Sequence, residues 1–523
     1  MTQPADAILI GAGHNSLACA VHLAAMGWRV HVLERNTEPG GAVKTGEYTL
    51  PGYRHDWAAM NLSLFAGSGF FKAYGDELAG HGLDFAPASN CFASVFPDGS
   101  WLGVGTDLDA TASRIGAVSS ADAATWRSLV AEFPARAETL FALLGSPTKK
   151  RVLASILWKE WRRSGTGGVL DLARFLVMSP RAWLTETFEE PKLRALLAAW
   201  GMHLDFAPDI AGGALFPYLE GMANQAFGMV LGKGGADTIV TAMVKAIEDR
   251  GGTVECGAEV TEIVHRNGVA SGVKTADGRE LRASTAVIAN LAPAALERLT
   301  GGTPDKGFDA GLRKFAHAPG TMMIHLAMDA LPAWKAGEEL RDYAYVHIAP
   351  DLDGMARTYA QAKAGLLPER PIVVCGQPTV VDPSRAPDGK HVLWLQVRMA
   401  PGEIAGDAAG TIAATDWSEA AEPFAERALD IVEEYAPGLR GSILGKRIVT
   451  PRELEADNPN LVGGDQVCGS HHLSQHFMFR PVRGHSDGST PIRNLHLTGA
   501  AVWPGAGTGA GPGYLLARKL AGN

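Results

Sequence analysis

A glycine-rich turn near the N-terminus is the clearest chemical signal in this 523-residue sequence. An apolar segment, residues 7–10, runs into Gly11-Ala12-Gly13 and an amphipathic stretch, and a second apolar segment ends at Glu34. Glycines at such a turn let the backbone approach a pyrophosphate at a helix N-terminus, and a carboxylate at this distance accepts hydrogen bonds from a ribose. The order of strand, turn, helix, strand and acid therefore predicts a βαβ unit that holds a dinucleotide, either NAD or FAD.

Other glycines extend this prediction to both ends of the chain. Ser16 stands where the third glycine of the motif is expected, which predicts slightly looser packing of the helix on the strand. Gly40 and Gly41 let a loop lie close to a ligand, although a simple turn is the alternative. The glycine-rich segment 505–513 follows an apolar strand and precedes a helix, so it can form a second phosphate cradle; we favour a single dinucleotide at which this segment aims a second helix N-terminus. That segment contains no cysteine, which favours non-covalent binding.

Composition excludes several classes of protein. A net charge of −9 argues against a general nucleic-acid partner, which would need a basic face. The five cysteines form no CxxC pair, so a disulphide-reducing flavoenzyme is not expected. No secretory leader pattern and no apolar stretch of about 18 residues is present, and we therefore predict a cytoplasmic protein. The length predicts at least two domains.

Candidate bases for a reaction at a bound cofactor are scattered along the chain. Spacing distinguishes none of them, and packing inside loops is the alternative for each; the residues are His55, Asp56, His203, Asp205, Asp465, His471, His472 and His476. The last three histidines lack the HExxH spacing, so we predict no metal site. Asp465 follows two glycines and has a second interpretation as a helix cap or loop brace.

The segment 149–163 differs electrostatically from the rest of the chain. It carries six basic residues and one acid, together with Trp158 and Trp161. Such a helix can lie on an anionic membrane and admit lipophilic substrates. A solvated helix with one face on the core, or a contact between subunits, explains the same pattern, and the sequence leaves these three interpretations open.

The elements that must position these residues are those of an α/β protein. Residues 121–204 read as largely helical, with breaks at 145–147 and 165–168. Strand-like runs recur between 321 and 399, and apolar spacing predicts a helix over 417–435. A strand over 495–498 precedes the C-terminal glycine-rich loop.

Three separated segments carry a family resemblance. They are residues 6–34 with Gly40-Gly41; 232–280, which contains GKGGADTIV and GAEVTEI; and NPNLVGGDQ at 458–466 with RP at 480–481 and TPIRNLHLTGAAVWPGAGTGAGPGYLLA. With these segments the chain resembles phytoene desaturase-type FAD-dependent oxidoreductases, which include carotenoid desaturases, carotenoid isomerases and retinol saturases. Within that family it is most similar to the branch of pyridine nucleotide-disulphide oxidoreductase domain-containing protein 2. Ala506 departs from a common glycine pair, which implies a pocket of different shape.

The resemblance implies non-covalent FAD on a Rossmann-like, amine-oxidase-like FAD domain with an inserted α+β substrate domain. The FAD domain would comprise 1–85, 225–300 and 445–523, and the substrate domain 86–224 and 301–444. Val260 would meet the adenine through its backbone. The implied cofactor-binding residues are Gly11, Gly13, His14, Asn15, Ser16, Glu34, Arg35, Gly40, Gly41, Ala42, Glu259, Val260, Asn290, Gly499, Ala500, Gly507, Gly509 and Ala510.

The implied activity is oxidation of a hydrophobic, polyene or lipid-like substrate by hydride transfer to flavin. The reduced flavin would pass its electrons to oxygen or a quinone. Isomerisation of a double bond by reduced FAD, without net redox change, is one alternative, and a flavin-binding interaction protein with little turnover is another. The sequence leaves the substrate, the catalytic base and any homo-oligomer undetermined.

Overall fold

The structure is a computed structural model that describes residues 4–522. Its strands, in chain order, are β1 Ala5–Ile10, β2 Val30–Leu33, β3 Thr45–Gly46, β4 His55–Asp56, β5 Phe85–Ala88, β6 Asn90–Val95, β7 Trp101–Gly105, β8 Met229–Gly232, β9 Thr253–Glu255, β10 Val260–Arg266, β11 Val269–Thr275, β12 Glu280–Ala289, β13 Gly320–Met328, β14 Tyr345–Ile348, β15 Leu366–Leu367, β16 Ile372–Gly376, β17 His391–Ala400, β18 Gly406–Asp407, β19 Ile443–Val449 and β20 Leu495–Leu497.

The helices are, in the same order, α1 His14–Ala25, α2 Ser63–Ala66, α3 Gly69–Gly80, α4 Leu108–Gly116, α5 Ser120–Leu144, α6 Lys150–Val177, α7 Pro180–Thr187, α8 Pro191–Met202, α9 Leu215–Phe227, α10 Thr238–Glu248, α11 Pro293–Thr300, α12 Lys306–Arg313, α13 Leu352–Lys363, α14 Trp417–Tyr435, α15 Pro451–Asp457 and α16 Gly511–Ala521. Short 3₁₀ helices span Glu338–Asp342, Pro378–Val380, Pro383–Arg385, Leu439–Ser442, Val462–Gly464 and Phe477–Phe479.

Parallel strands form the centre of the first sheet. β1 lies between β2 and β12, with Ile10 paired to Leu33 on one side and to Ala289 on the other. β9 extends the sheet beyond β2, and β20 extends it beyond β12. The N-terminal half of β12 continues into an antiparallel meander with β11 and β10. The predicted βαβ unit is confirmed, and its strands end at the edge where the glycine turns lie.

Both faces of this first sheet are covered. Leu9 points into a core that it shares with Leu17 of α1 and Ile239 of α10. Ile8 points the other way, into a core with Leu296 of α11. Each fully buried aliphatic side chain contributes about 1.5–3 kcal/mol, which holds the carboxyl edge of the sheet in a fixed geometry.

The second sheet joins two distant stretches of chain. Its order is β19-β13-β17-β16-β14-β6-β7, and β6 is joined to the later strands by parallel pairing with β14. Leu393 and Leu395 of β17 face the core that contains α14. Trp394 faces the opposite core, built with α8 and α9. Because side chains alternate along a strand, Gln396 and Arg398 share the face of Trp394.

A helical layer covers that face of the second sheet. The helices predicted over 121–204 are present as α5 to α8, and the break at 145–147 separates α5 from α6. At the predicted break over 165–168, Gly165 leaves helical geometry with φ of +71° and ψ of −172°, so α6 consists of two helices joined by a kink. Among residues 4–522 no helix is both long and apolar enough to span a membrane.

Two of the predicted domain boundaries fall inside strands. The boundary at 86 lies within β5, which pairs with β8, and the boundary at 445 lies within β19. Because β19 pairs with β13, residues 445–449 belong to the second sheet and not to the first. The other boundaries stay predictions.

Candidate functional site

A groove of about 300 Å³ opens at the carboxyl ends of the first sheet. Its walls include Gly11, Glu34 and Gly41 on the side of the first sheet, and Gln396 and Arg398 of β17 on the side of the second. Ligands of open α/β sheets bind in the crevice outside the carboxyl ends of the strands. The position of this groove is therefore that of a dinucleotide site.

The N-terminus of α1 faces this groove. Gly11 has φ of +85°, which favours glycine, and Gly13 is the N-cap residue of α1. No side chain caps the helix, so its first amides have no side-chain acceptor. A Cβ atom at Gly13 would lie 2.9 Å from Nδ2 of Asn290. Free amides at the positive end of a helix dipole, with glycine leaving space beside them, suit a phosphate.

Glu34 is fixed beside the same turn. Its side chain is buried, with Oε2 accepting a hydrogen bond from Ala12 N at 2.8 Å and Oε1 accepting one from Asn36 N at 3.0 Å. The carboxylate therefore stiffens the turn while it lines the groove. Arg35 is exposed and donates instead to the carbonyl of Ala456 at 2.8 Å.

The loop after β2 closes one wall. Gly40 and Gly41 have φ of +124° and +62°. A Cβ atom at Gly41 would lie 3.4 Å from Cα of Gly13 and 3.4 Å from Nδ2 of Asn458. Positive φ and close packing together explain the glycine pair, and Ala42 lines the groove next to it.

The two ends of the chain meet at this groove. Nε2 of His14 lies 3.2 Å from the carbonyl oxygen of Gly507. Burial lowers the pKa of His14 to about 4, so its ring is neutral near pH 7. The N-terminus of α16 also has no side-chain cap, and Gly513 packs on the backbone of Asn15. The loop before α16 thus lines the groove through Gly507 and Thr508, while the N-terminus of α16 packs against the start of α1.

The remaining predicted cofactor residues divide into two groups. Asn15, Glu259, Val260, Asn290 and Ala500 line the groove with the residues above. The others support it from behind: Ser16 is fully buried, Gly499 packs on Asn290, Gly509 packs on Leu64, and Ala510 is the N-cap of α16 with φ of +57°.

His55 and Asp56 lie on β4, outside the groove. The Asp56 carboxylate accepts hydrogen bonds from Thr45 Oγ1 at 2.7 Å, Ala236 N at 2.8 Å and the Arg385 guanidinium at 2.5 Å. His55 is hydrogen-bonded to Thr49, and burial lowers its pKa to about 3. Both residues hold separate segments of chain together.

Asp205 and Asp465 are buried next to residues that line the groove. Oδ1 of Asp205 accepts a hydrogen bond from Tyr359 OH at 3.0 Å, and Oδ2 lies 3.2 Å from Nε2 of His472. Burial raises the pKa of Asp205. Asp465 accepts hydrogen bonds from the backbone amides of Ala318, Val467 and Gly469, which is the geometry of a loop brace.

The other two histidine candidates also have local roles. His471 accepts a hydrogen bond from Ala506 N at 3.0 Å, and its ring lies 5.1 Å from that of His476. Within residues 4–522 no three His, Cys, Asp or Glu side chains are arranged to hold a metal ion.

Gln396 and Arg398 are groove residues that the sequence analysis missed. Both are 95% buried, and His203, a weak candidate from sequence, lines the groove beside them. The sequence signal is the alternation of β17, in which Gln396 and Arg398 are the two large polar residues in an otherwise apolar run over 392–400.

The groove fits a flavin dinucleotide. Gly11, Gly13 and Gly41 line it, the N-terminus of α1 has no side-chain cap, and a carboxylate stands at the ribose position of the motif. Oδ1 of Asn15 is buried and has no protein donor. Cys468 lines the groove, and burial raises the pKa of its thiol to about 12.

Comparison with known proteins agrees with this geometry. Residues 9–76 match the model of an NAD(P)-binding Rossmann-like domain, and residues 105–427 match that of the flavin containing amine oxidoreductases. The chain is 28% identical to mouse pyridine nucleotide-disulfide oxidoreductase domain-containing protein 2, over 96% of this chain and 90% of that protein. It is 25% identical to a neurosporene-forming phytoene desaturase of Cereibacter sphaeroides, over 96% and 91%.

A solved structure shows the same fold. An oxidoreductase from Methanosarcina mazei superposes with a TM-score of 0.60 at 18% identity, covering 98% of this chain and 99% of the other. The fold class and the family predicted from sequence are both confirmed. The chain belongs to the flavin-containing amine oxidoreductase family and, within it, to the phytoene desaturase-type FAD-dependent oxidoreductases.

Proposed function

We propose that this protein binds FAD non-covalently and oxidises a hydrophobic, lipid-like substrate, with oxygen or a quinone as the final electron acceptor. The observation that carries the proposal is the single groove that extends from the glycine turn of the first sheet to β17 of the second. The bound flavin would supply the hydride acceptor, as it does in other flavoenzymes. Relatives named as phytoene desaturases support a lipophilic substrate.

The residues that would hold FAD have distinct tasks. Glu34 would accept hydrogen bonds from ribose hydroxyls, while the uncapped amides of α1 would face the negative charge of the pyrophosphate. The positive end of a helix also favours any negative charge that develops on the cofactor during reduction. Non-covalent binding is supported by Cys468, because a thiol with a raised pKa is a poor nucleophile at neutral pH.

Within the part of the chain that the structure describes, the groups that line the substrate end of the groove are weak candidates for a general base. His203 lines the groove, but burial and the charge of Arg398 hold its pKa well below 6.5. Among residues 4–522, the carboxylates that line the groove belong to Glu34, Glu259 and Asp457. Glu34 and Asp457 lie beside Asn36, and Glu259 precedes Val260, so all three are on the dinucleotide side. This supports direct hydride transfer over removal of a proton by a strong base.

The proposal includes a peripheral membrane contact through 149–163. Trp158 and Trp161 of α6 are 58% and 44% exposed, and their rings stack with centroids 4.9 Å apart. Ser146, just before this segment, accepts a hydrogen bond from Trp503 Nε1 at 3.0 Å. A surface that is basic and aromatic suits an anionic bilayer, and Trp503 connects it to the C-terminal loop.

Anaerobic titration tests the activity. The purified protein would be mixed with candidate lipophiles while the visible absorbance of the flavin is followed. Bleaching by a substrate, reversed by oxygen or a quinone, is the expected result. Product that forms only with prereduced flavin, with no net redox change, would replace this proposal with isomerisation. A flavin that no lipophile reduces would favour an interaction protein with little turnover.

A further inference from the structure

A cluster of buried hydrogen-bond donors lies where the groove reaches the second sheet. Nε of Arg398 and Nε1 of Trp200 are buried donors without a protein acceptor, and Nε2 of His203 is buried without a partner; Arg398 and His203 line the groove, and Trp200 packs against His203. The Trp200 and His203 rings are 4.8 Å apart, and His203 lies 5.3 Å from His347, whose two ring nitrogens also lack protein partners. Buried donors without acceptors cost free energy, so their concentration at one place points to a ligand rich in oxygen atoms.

Arg398 is held in place by neutral groups only. Its Nη1 donates to Thr321 Oγ1 at 2.9 Å and to Gln466 at 3.2 Å, and its Nη2 donates to the carbonyl of His203 at 2.7 Å. Among residues 4–522 no carboxylate forms an ion pair with this guanidinium within 4.0 Å. These contacts fix the plane of the guanidinium and leave its Nε–H for another partner.

The acidic groups nearest to Arg398 are already engaged. Asp465 accepts backbone amides, and Asp205 is bound to Tyr359 and to His472. They act on Arg398 only at longer range. The guanidinium therefore keeps a strong preference for an anionic acceptor at short range.

We infer that Arg398, with His203 beside it, binds a carboxylate at one end of the substrate. The inference rests on the proposed function and narrows its substrate class to lipophilic acids. Gln396 is a positioning residue: its Nε2 donates to the carbonyl of Ala58 at 3.3 Å and to Oε1 of Gln466 at 2.9 Å, the same oxygen that accepts from Arg398. Apolar side chains such as Leu204 and Val467 line the same end of the groove and suit the hydrocarbon part.

Matched probes test this inference without turnover. Sodium octanoate and 1-octanol share a chain length and differ in charge. Binding of each to the flavin-loaded protein would be measured by calorimetry and by tryptophan fluorescence, since Trp200 adjoins the cluster. We expect octanoate to bind at least about tenfold more tightly than octanol, because hydrogen bonds to charged groups exceed neutral ones. Equal binding of the two probes would overturn the inference.

Variants locate the preference. Arg398→Met should abolish the tighter binding of octanoate over octanol, and Arg398→Lys should retain part of it. Arg447→Met, the same change on β19 at a residue paired with Glu453, should leave it intact. If Arg398→Met fails to fold by circular dichroism, Gln396→Leu should still weaken octanoate binding, because it releases the Gln466 side chain that holds Arg398. Preference that survives in both Arg398→Met and Gln396→Leu would overturn the inference.

Two sources of negative charge must be separated, the substrate and the reduced flavin. A change in flavin midpoint potential in Arg398→Met, with octanoate preference retained, would assign the arginine to the flavin and overturn the inference. Failure of the proposed function would be seen in a different measurement. The protein would lack flavin, or its flavin would resist reduction, whatever the result with octanoate.

Discussion

Replacing Gly13 by alanine separates cofactor binding from folding. Gly13 has φ of −68° and ψ of 156°, a conformation that alanine adopts without strain. The added Cβ would lie 2.9 Å from Nδ2 of Asn290, so that side chain must move by a few tenths of an ångström. The same methyl group would stand at the uncapped N-terminus of α1, where we expect the pyrophosphate of FAD.

The two effects have different magnitudes. Alanine stabilises a compatible site by about 0.4–1 kcal/mol through the unfolded chain, which offsets the displacement of Asn290. We therefore expect the unfolding free energy of the flavin-free protein to change by less than about 1 kcal/mol. A lost hydrogen bond to a charged phosphate costs about 1.5–3 kcal/mol, which weakens FAD binding about 10- to 150-fold.

Flavin-free protein would be titrated with FAD by fluorescence, and its stability measured by urea unfolding. Gly80→Ala is the matched control, because a Cβ atom at Gly80 would contact nothing within 4 Å. Gly13→Ala/Asn290→Ala removes the contact with the amide but not the obstruction at the helix end. Unchanged FAD affinity in Gly13→Ala, or full recovery in the double variant, would refute the reasoning.

Three further predictions concern other parts of the chain. Asp56→Asn should lower the unfolding free energy by about 3–5 kcal/mol in urea, since it breaks a fully buried pair with Arg385. Burial raises the pKa of Glu220 from 4.5 to about 7. The contribution of this residue to the free energy of unfolding is therefore complete below pH 4.5 and is lost as the pH rises through 7. Glu220→Gln should raise the free energy of unfolding by about 1–3 kcal/mol at pH 8 and change it little at pH 4.5. Trp158→Ser with Trp161→Ser should reduce flotation with vesicles that contain anionic lipid at least about tenfold.

Each of these has a contradicting result. An Asp56→Asn protein as stable as the wild type would mean that the pair with Arg385 does not hold β4 in place. Equal stabilisation by Glu220→Gln at pH 4.5 and pH 8 would mean that ionisation of Glu220 does not lower the stability of the folded protein. If the variant without both tryptophans still binds anionic vesicles, the membrane contact lies elsewhere or depends on the basic residues alone.

The N-terminal half of the site was predictable because its determinants are local. Glycines at 11, 13, 40 and 41 act through their own backbone conformation and through close approach, both of which follow from residue type and order. Glu34 is placed by the length of one helix and one strand. The C-terminal loop was predictable from its own order of strand, glycines and helix, and the family resemblance assigned it to the same FAD site.

The substrate end was not predictable, because its geometry is non-local. Arg398 acquires its surroundings from Thr321, Gln466 and His203, which are 68 to 195 residues away along the chain. No local spacing distinguishes such an arginine from one at the surface. Asp56 and Asp465 show the converse: their carboxylates suited catalysis by type, but tertiary packing commits Asp56 to Arg385 and a backbone amide, and Asp465 to backbone amides.

The absorption spectrum of the purified protein, before and after acid precipitation, tests the central claim most directly. We predict the visible bands of an oxidised flavin in the native protein, and FAD in the supernatant once the protein is precipitated. Absence of flavin even after reconstitution with FAD, or flavin that stays with the precipitate, would contradict the account.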